Sequence, residues 1–199
     1  MQIDKTSFND ISIFHHEEEF SIFHKLNFTR TVGGSEWLRK FFCEPHNDLK
    51  KIIGTQKVIR TFMEHVSDWP TDISNGTMLV MEKFMEYALD PISESPASLN
   101  NFFYKWLHSE DYAMVKYSVP HFADFYRGIC KIAALLEDVD LPIHIKIYLD
   151  RINGILKEGP LLKLAATEPG EKFSKSQLLY FAFHLRGRYK TNTLELIDI

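Results

Sequence analysis

Residues 20–62 read FSIFHKLNFTRTVGGSEWLRKFFCEPHNDLKKIIGTQKVIRTF, and their spacing decides the fold class. Phe20, Phe23 and Leu26 recur at three-residue steps behind the acidic run Glu17-Glu18-Glu19. Carboxylates suit the positive end of a helix, so a first helix is predicted through about Asn27. Thr31-Val32-Gly33-Gly34-Ser35 then reads as a break, because glycine reaches backbone angles closed to other residues. A second helix from Ser35 sets Trp37, Leu38 and Phe41 on one side, and Pro45 stops it. Asn47 or Asp48 can cap a third helix, in which Leu49, Ile52, Ile53, Gln56, Ile59, Phe62 and Val66 keep helical spacing up to Trp69-Pro70.

Working outward, Ile3 to Phe14 alternates apolar and polar residues and predicts a short strand or extended arm, so that residues 1–15 lead into the helices. Downstream, periodicity predicts helices at about 72–88, 98–107, 121–138, 142–158 and 175–198, with Pro120 and Pro142 in first turns, where a missing N–H is harmless. Residues 165–174, with Thr167, Pro169 and Gly170, read as the longest loop, and Ser174 with Gln177 forms a capping box. The sequence ends on Leu194-Glu195-Leu196-Ile197-Asp198-Ile199 while still reading as helix, so truncation from a longer chain is expected. The expectation is an all-α, multi-helix domain spanning 1–199 with a short extended N-terminal segment.

Hydrophobic residues at 45% and charged residues at 25% argue against both disorder and a fibrous repeat. The net charge of −4 argues against coating nucleic acid through bulk electrostatics. Cys43 and Cys130 lack a partner at metal or redox spacing and are expected as reduced, packed thiols in a cytoplasmic protein. No run approaches the ~18 apolar residues of a membrane span, and MQIDKTSFND lacks a signal-peptide pattern, so no membrane association is expected.

No stretch carries complete chemistry. His15-His16-Glu17-Glu18-Glu19 places His15 and Glu19 four apart, but H-E-x-x-H is absent and an acidic helix start explains the run. Neither G-x-x-x-x-G-K-[ST] nor G-x-G-x-x-G nor G-x-S-x-G occurs. No catalytic residue, metal ligand or cofactor site is therefore nominated. His184, Arg186, Arg188 and Lys190 form one basic group in the predicted last helix; Arg186, Arg188 and Lys190 are candidates for weak DNA contact, against the commoner reading of a solvated face.

The stretch from Phe20 to Phe62 resembles the start of the core (lever) domain of the MutS family of DNA mismatch-repair ATPases. The family pattern runs approximately L-[DN]-x-T-x-T-x-x-G-x-R-x-L-[RK]-x-[WF], then a proline, an Asp and a helix with I-x-x-[RQ]. Leu26, Asn27, Thr29, Thr31, Gly34, Trp37, Leu38, Arg39, Phe41, Pro45, Asp48, Ile52 and Gln56 stand at corresponding places, whereas Glu36 replaces the usual Arg. The resemblance implies a non-catalytic helical lever, with the ATPase domain elsewhere in the parent chain, ATP and magnesium bound there, and DNA reached through the full-length parent. Asn27, Thr29, Thr31, Gly34, Trp37, Leu38 and Pro45 are then expected as the elements of a packed helical corner. Homodimerisation is left open, and a stand-alone helical protein-interaction adaptor is the rival reading.

Overall fold

The computed structural model describes residues 12–15, 17–94, 99–137, 139–157 and 159–198. Among them there are ten α-helices and no strand, so the chain is all-α. It divides into two compact units, Met1–Met63 and Glu64–Ile199. The arm expected at 3–14 lies outside the described residues up to Ile11. Ser12 to Phe14 form a turn instead of extended chain, with Ser12 at φ 52°.

The first unit holds α1 (Ile22–Leu26), α2 (Val32–Cys43) and α3 (Leu49–Glu64), after a 3-10 turn at Glu18–Phe20. The carbonyls of Ser12 and Ile13 accept from the N–H groups of Ile22 and Phe23, which removes two of the unpaired donors at the start of α1. Three boundaries differ from the sequence reading. α1 begins at Ile22 with Ser21 as its N-cap, after the 3-10 turn, and not at the acidic run. α2 begins at Val32 with Thr31 as its N-cap, so Gly33 and Gly34 form a first helical turn, not a break. α3 stops at Glu64, short of Trp69-Pro70, and Asp48 accepts from the Lys50 N–H at its start.

The second unit is built on one long rod. α6 (Ser109–Leu136) has 28 residues, about 42 Å at 1.5 Å per residue. α4 (Asn75–Glu86), α5 (Leu99–Leu107), α7 (Ile143–Leu156), α8 (Gly159–Ala165) and α9 (Lys175–Arg186) all pack against it. α10 (Lys190–Asp198) packs on α9. The core centres on Met81 and Phe84 of α4, Val119 and Phe122 of α6, Leu164 of α8 and Leu185 of α9, all buried. Phe84 and Phe122 meet edge to face at 5.2 Å.

Pro120 was expected to open a helix; it lies in the middle of α6. A mid-helix proline costs about 3 kcal/mol or more through its lost hydrogen bond and its clash with the preceding turn. Val115, Val119, Phe122, Phe125 and Tyr126 are buried on both sides of it, and each such burial contributes about 1.5–3 kcal/mol, so continuing the helix wins. The last predicted helix shows the opposite outcome. Gly187 is the C-cap of α9: its N–H bonds the Phe183 carbonyl at 2.9 Å, and a Cβ there would sit 3.0 Å from that same oxygen. The capping box of Ser174 and Gln177 forms as read, and Gly170 provides the loop's positive φ of 77°.

Polar side chains clamp the ends of the rods. Tyr126 Oη and Thr193 Oγ1 lie 2.6 Å apart, and Thr193 donates onward to the Tyr189 carbonyl, joining α6 to α10 inside the core. Arg127 bonds Asp72, Asp124 and the Thr167 carbonyl, and Lys131 reaches the other oxygen of Asp72 at 2.9 Å. Burial would raise the Asp72 pKa, but the hydrogen bonds from Lys131 and Arg127 outweigh it and hold the carboxyl below its ordinary 3.8. Beside this clamp the chain crosses Gly128 so closely that an added Cβ would lie 2.7 Å from Ile73 Cγ1.

Two measurements check this packing. Gly128→Ala should lower stability by about 1–2 kcal/mol despite alanine's better helix propensity, because Ile73 must move. Gly154→Ala in α7, where nothing stands within 4 Å, should raise it by about 0.5–1 kcal/mol; chemical denaturation of both variants reads the contrast. Asp72→Asn should cost about 2–4 kcal/mol at neutral pH, since it strips Arg127 and Lys131 of their anion. Because the folded pKa is depressed, that difference is complete above the unfolded value near 3.8 and disappears as the pH falls through the folded value. A difference independent of pH down to 2 would contradict the clamp.

Candidate functional site

The residues singled out between Asn27 and Gly34 meet in one hydrogen-bonded corner between α1 and α2. Asn27 is the C-cap of α1, and its Nδ2 donates to Ser35 Oγ at 2.8 Å. Its Oδ1 accepts from Thr29 Oγ1 at 2.5 Å and from the Thr29 N–H at 3.4 Å. Thr31 Oγ1 accepts the Gly34 N–H at 3.1 Å, the bond expected of a threonine N-cap. Space at Gly34 is tight: a Cβ would stand 3.0 Å from Thr31 Oγ1 and 3.4 Å from Thr29 Cβ, so the two threonines would have to give by a few tenths of an ångström. Thr31 thus satisfies an open donor at the start of α2, while the Asn27 side chain ties the end of α1 to the connecting turn and to the first turn of α2.

The apolar half of the expected corner is turned around. Trp37 is 53% exposed and Phe41 43%, so neither anchors α2 in a core; Leu38 is half-buried. Starting the helix at Thr31 sets Ser35, Leu38 and Phe42 on the inward side at helical spacing. Phe42 closes a cluster with Phe14 at 6.3 Å and Phe23 at 6.0 Å, and Arg39 lies over Phe14 at 4.3 Å. On the outward side Lys40 stands over the Trp37 ring at 5.1 Å. Pro45 follows the end of α2 at Cys43 by two residues, as its missing N–H requires. Cys43 is exposed and not packed, whereas Cys130 is half-buried and its thiol pKa is raised by burial.

The remaining sequence candidates do not assemble into sites. Glu18–Phe20 is a 3-10 turn, so His15 and Glu19 do not share a helical face, and His15 Nδ1 accepts from the Glu17 N–H; His16 lies outside the described residues. The basic stripe is broken by Gly187, so Arg186, Arg188 and Lys190 do not line one helix face. Arg186 is a structural cation: its guanidinium donates to the carbonyls of Phe84 and Met85 at 2.8 and 2.7 Å, at the negative end of α4. Arg188 is exposed beside Tyr189, and Lys190 begins α10. His184 is enclosed by Tyr180, Phe183 and Tyr189. Burial, opposed by Glu94 and aided by Arg188, holds its pKa below the ordinary 6.5.

Periodicity gave no sign of a further polar cluster, at the start of α6. Asp90, His108 and Asp111 bring ligand atoms within 4.8 Å of one another. His108 Nδ1 lies 2.6 Å from Asp90 Oδ2, and buried Asp111 Oδ2 accepts from the Asp90 N–H and from Tyr104 Oη at 2.9 and 3.2 Å. The donors and acceptors answer one another directly, so the group closes as a pin between the chain after α4 and the start of α6. Burial first, then the Asp111 charge, drives the Tyr104 pKa far above its ordinary value, keeping the phenol a hydrogen-bond donor. A buried carboxylate in a first helical turn reads in sequence as ordinary helix-dipole pairing, which hides it.

Removing the corner's polar atoms should matter more than removing its indole. Asn27→Ala and Thr31→Ala are each expected to lower stability by about 1 kcal/mol, through loss of cap and turn bonds. Trp37→Ala should fall within about 1 kcal/mol, well below the 3–5 kcal/mol of a core tryptophan. Urea denaturation monitored by circular dichroism ranks the three, and a Trp37→Ala loss above 3 kcal/mol would contradict the outward placement. Compared with family models, with curated proteins and with solved structures, the chain finds no match.

Proposed function

We propose that this chain is a non-catalytic helical lever of a MutS-like DNA-repair ATPase, carrying ATP-driven rearrangement toward parts that contact DNA. The observation that supports the reading most is the corner, where Asn27, Thr29, Thr31 and Gly34 interlock. These residues carry the family resemblance, and their contacts give that spacing a mechanical reason: Thr31 caps the start of α2, and Asn27 ties the end of α1 to Thr29 and to Ser35. The rod formed by α6 suits the same task, because close-packed helices move as stiff bodies and pass displacement through side-chain contacts. ATP and magnesium belong to the ATPase domain of the parent chain, and DNA is engaged through the parent. A second reading, a helical protein-interaction adaptor, draws on the outward Trp37 and Phe41.

The test is ATP turnover by the full-length parent with and without DNA. Gly34→Ala is expected to leave basal turnover within about twofold while reducing the DNA-stimulated increment about fivefold or more, the low end of ordinary coupling energies. No ATP turnover in the parent would sink the reading. So would undiminished stimulation in a variant whose corner amides have lost hydrogen-exchange protection.

A further inference from the structure

We infer that His184 is a proton-operated latch on the joint between α9 and α10: its neutral imidazole holds α10 against α9, and protonation releases it. Nδ1 of His184 is closed to solvent and has no hydrogen-bond partner among the described residues. Three rings enclose the imidazole, with Tyr180 at 4.5 Å, Phe183 at 5.3 Å and Tyr189 at 5.9 Å between centroids. Whichever nitrogen carries the proton of the neutral ring, both carry one in the imidazolium. Charging therefore sets a cationic N–H at Nδ1 with no acceptor before it. A buried charge in that position is relieved only by losing the proton or by moving the ring out to water.

Moving the ring out disturbs the joint first. Tyr189 is 2% exposed, its N–H bonds the His184 carbonyl at 3.0 Å, and its own carbonyl accepts from Thr193 Oγ1 at 2.7 Å. His184 thus packs against the residue through which α9 passes into α10, and α10 has its main packing on α9. Two charged groups face the ring. Glu94, exposed in the chain after α4, favours the cation, and Arg188, at the joint itself, opposes it. Tyr180 and Tyr189 are the other titratable groups against it. Burial is the largest influence and keeps the ring neutral to below its ordinary 6.5. Because the folded value is depressed, the latch is fully closed above 6.5 and opens as the pH falls from there toward the folded value. The inference stands apart from the ATPase reading, for it rests on the second unit alone.

The experiment uses the full 199-residue chain. Proton NMR of the His184 ring, assigned by its disappearance in His184→Phe, should show titration below 6.5. Between about pH 7 and about pH 5, hydrogen-exchange protection factors of the Tyr189 and Thr193 amides should fall relative to those of α6. In His184→Phe, which keeps a ring and loses the proton site, the two protection factors should not differ between these conditions. Arg188→Ala should move the His184 titration up and Glu94→Gln should move it down; both positions are exposed, so these variants keep the latch testable should His184→Phe fail to fold. Titration at or above 6.5, as expected if the surrounding rings accommodate the cation, overturns the inference. So do unchanged protection in the unsubstituted chain, an acid-induced loss that persists in His184→Phe, and a titration that neither charge variant moves.

Discussion

Burial of one continuous apolar stripe along α6 is the constraint on which the larger unit depends. Val115, Val119, Phe122, Phe125 and Tyr126 are each no more than 1% exposed, and the helices around α6 find their places by covering them. That gain explains why Pro120 is carried inside a helix instead of ending one. It also explains Gly128, where the chain at Asp72 and Ile73 lies too close for a Cβ. The polar clamps are secondary in energy but decide register. Arg186 fixes the end of α4, the Tyr126–Thr193 pair fixes α10, and Asp72 with Arg127 and Lys131 fixes the crossing at Gly128.

The first unit is held by other means. Its only buried side chains among the described residues are Ser21, Val58 and Thr61. Local hydrogen bonds and the Phe14, Phe23 and Phe42 cluster do what a core does in the second unit. Each such bond contributes about 0.5–1.5 kcal/mol net, so an arrangement of this kind is specific in geometry and modest in stability. Geometry without depth suits a joint better than a rod. Asn27 is central because it bonds forward to Thr29 and across to Ser35, tying the end of one helix to the first turns of the next.

The helical class and most elements were legible in the sequence because 3.6-residue periodicity survives in α3, α4, α7 and α9. The capping box at Ser174 was legible for a different reason: it is a local rule, satisfied within four residues. Pro120 and Gly187 were misread for the same physical cause. Local propensity weighs a proline as a stop and an isolated glycine as tolerable, whereas burial along α6 and the contact at the Phe183 carbonyl settle both cases. At the corner, the polar residues were identifiable by spacing, but the rotation of α2 was not. The helix begins at Val32 behind the Thr31 cap and not at Ser35, and within it Trp37 and Phe41 face outward while Phe42 takes the inner place. The pin of Asp90, His108 and Asp111 joins residues up to 21 apart and has no periodic signature at all.

Shallow burial and exposed apolar residues in the first unit belong together physically. Phe28, Trp37, Leu49, Ile59 and Met63 leave apolar area in water that a folded unit of this size would gain by covering. A ligand that binds only the folded form adds RT ln(1 + [L]/Kd) to its stability, about 2.7 kcal/mol at a hundredfold excess over Kd. For a unit built on a few local hydrogen bonds, that increment is comparable to several of its caps together.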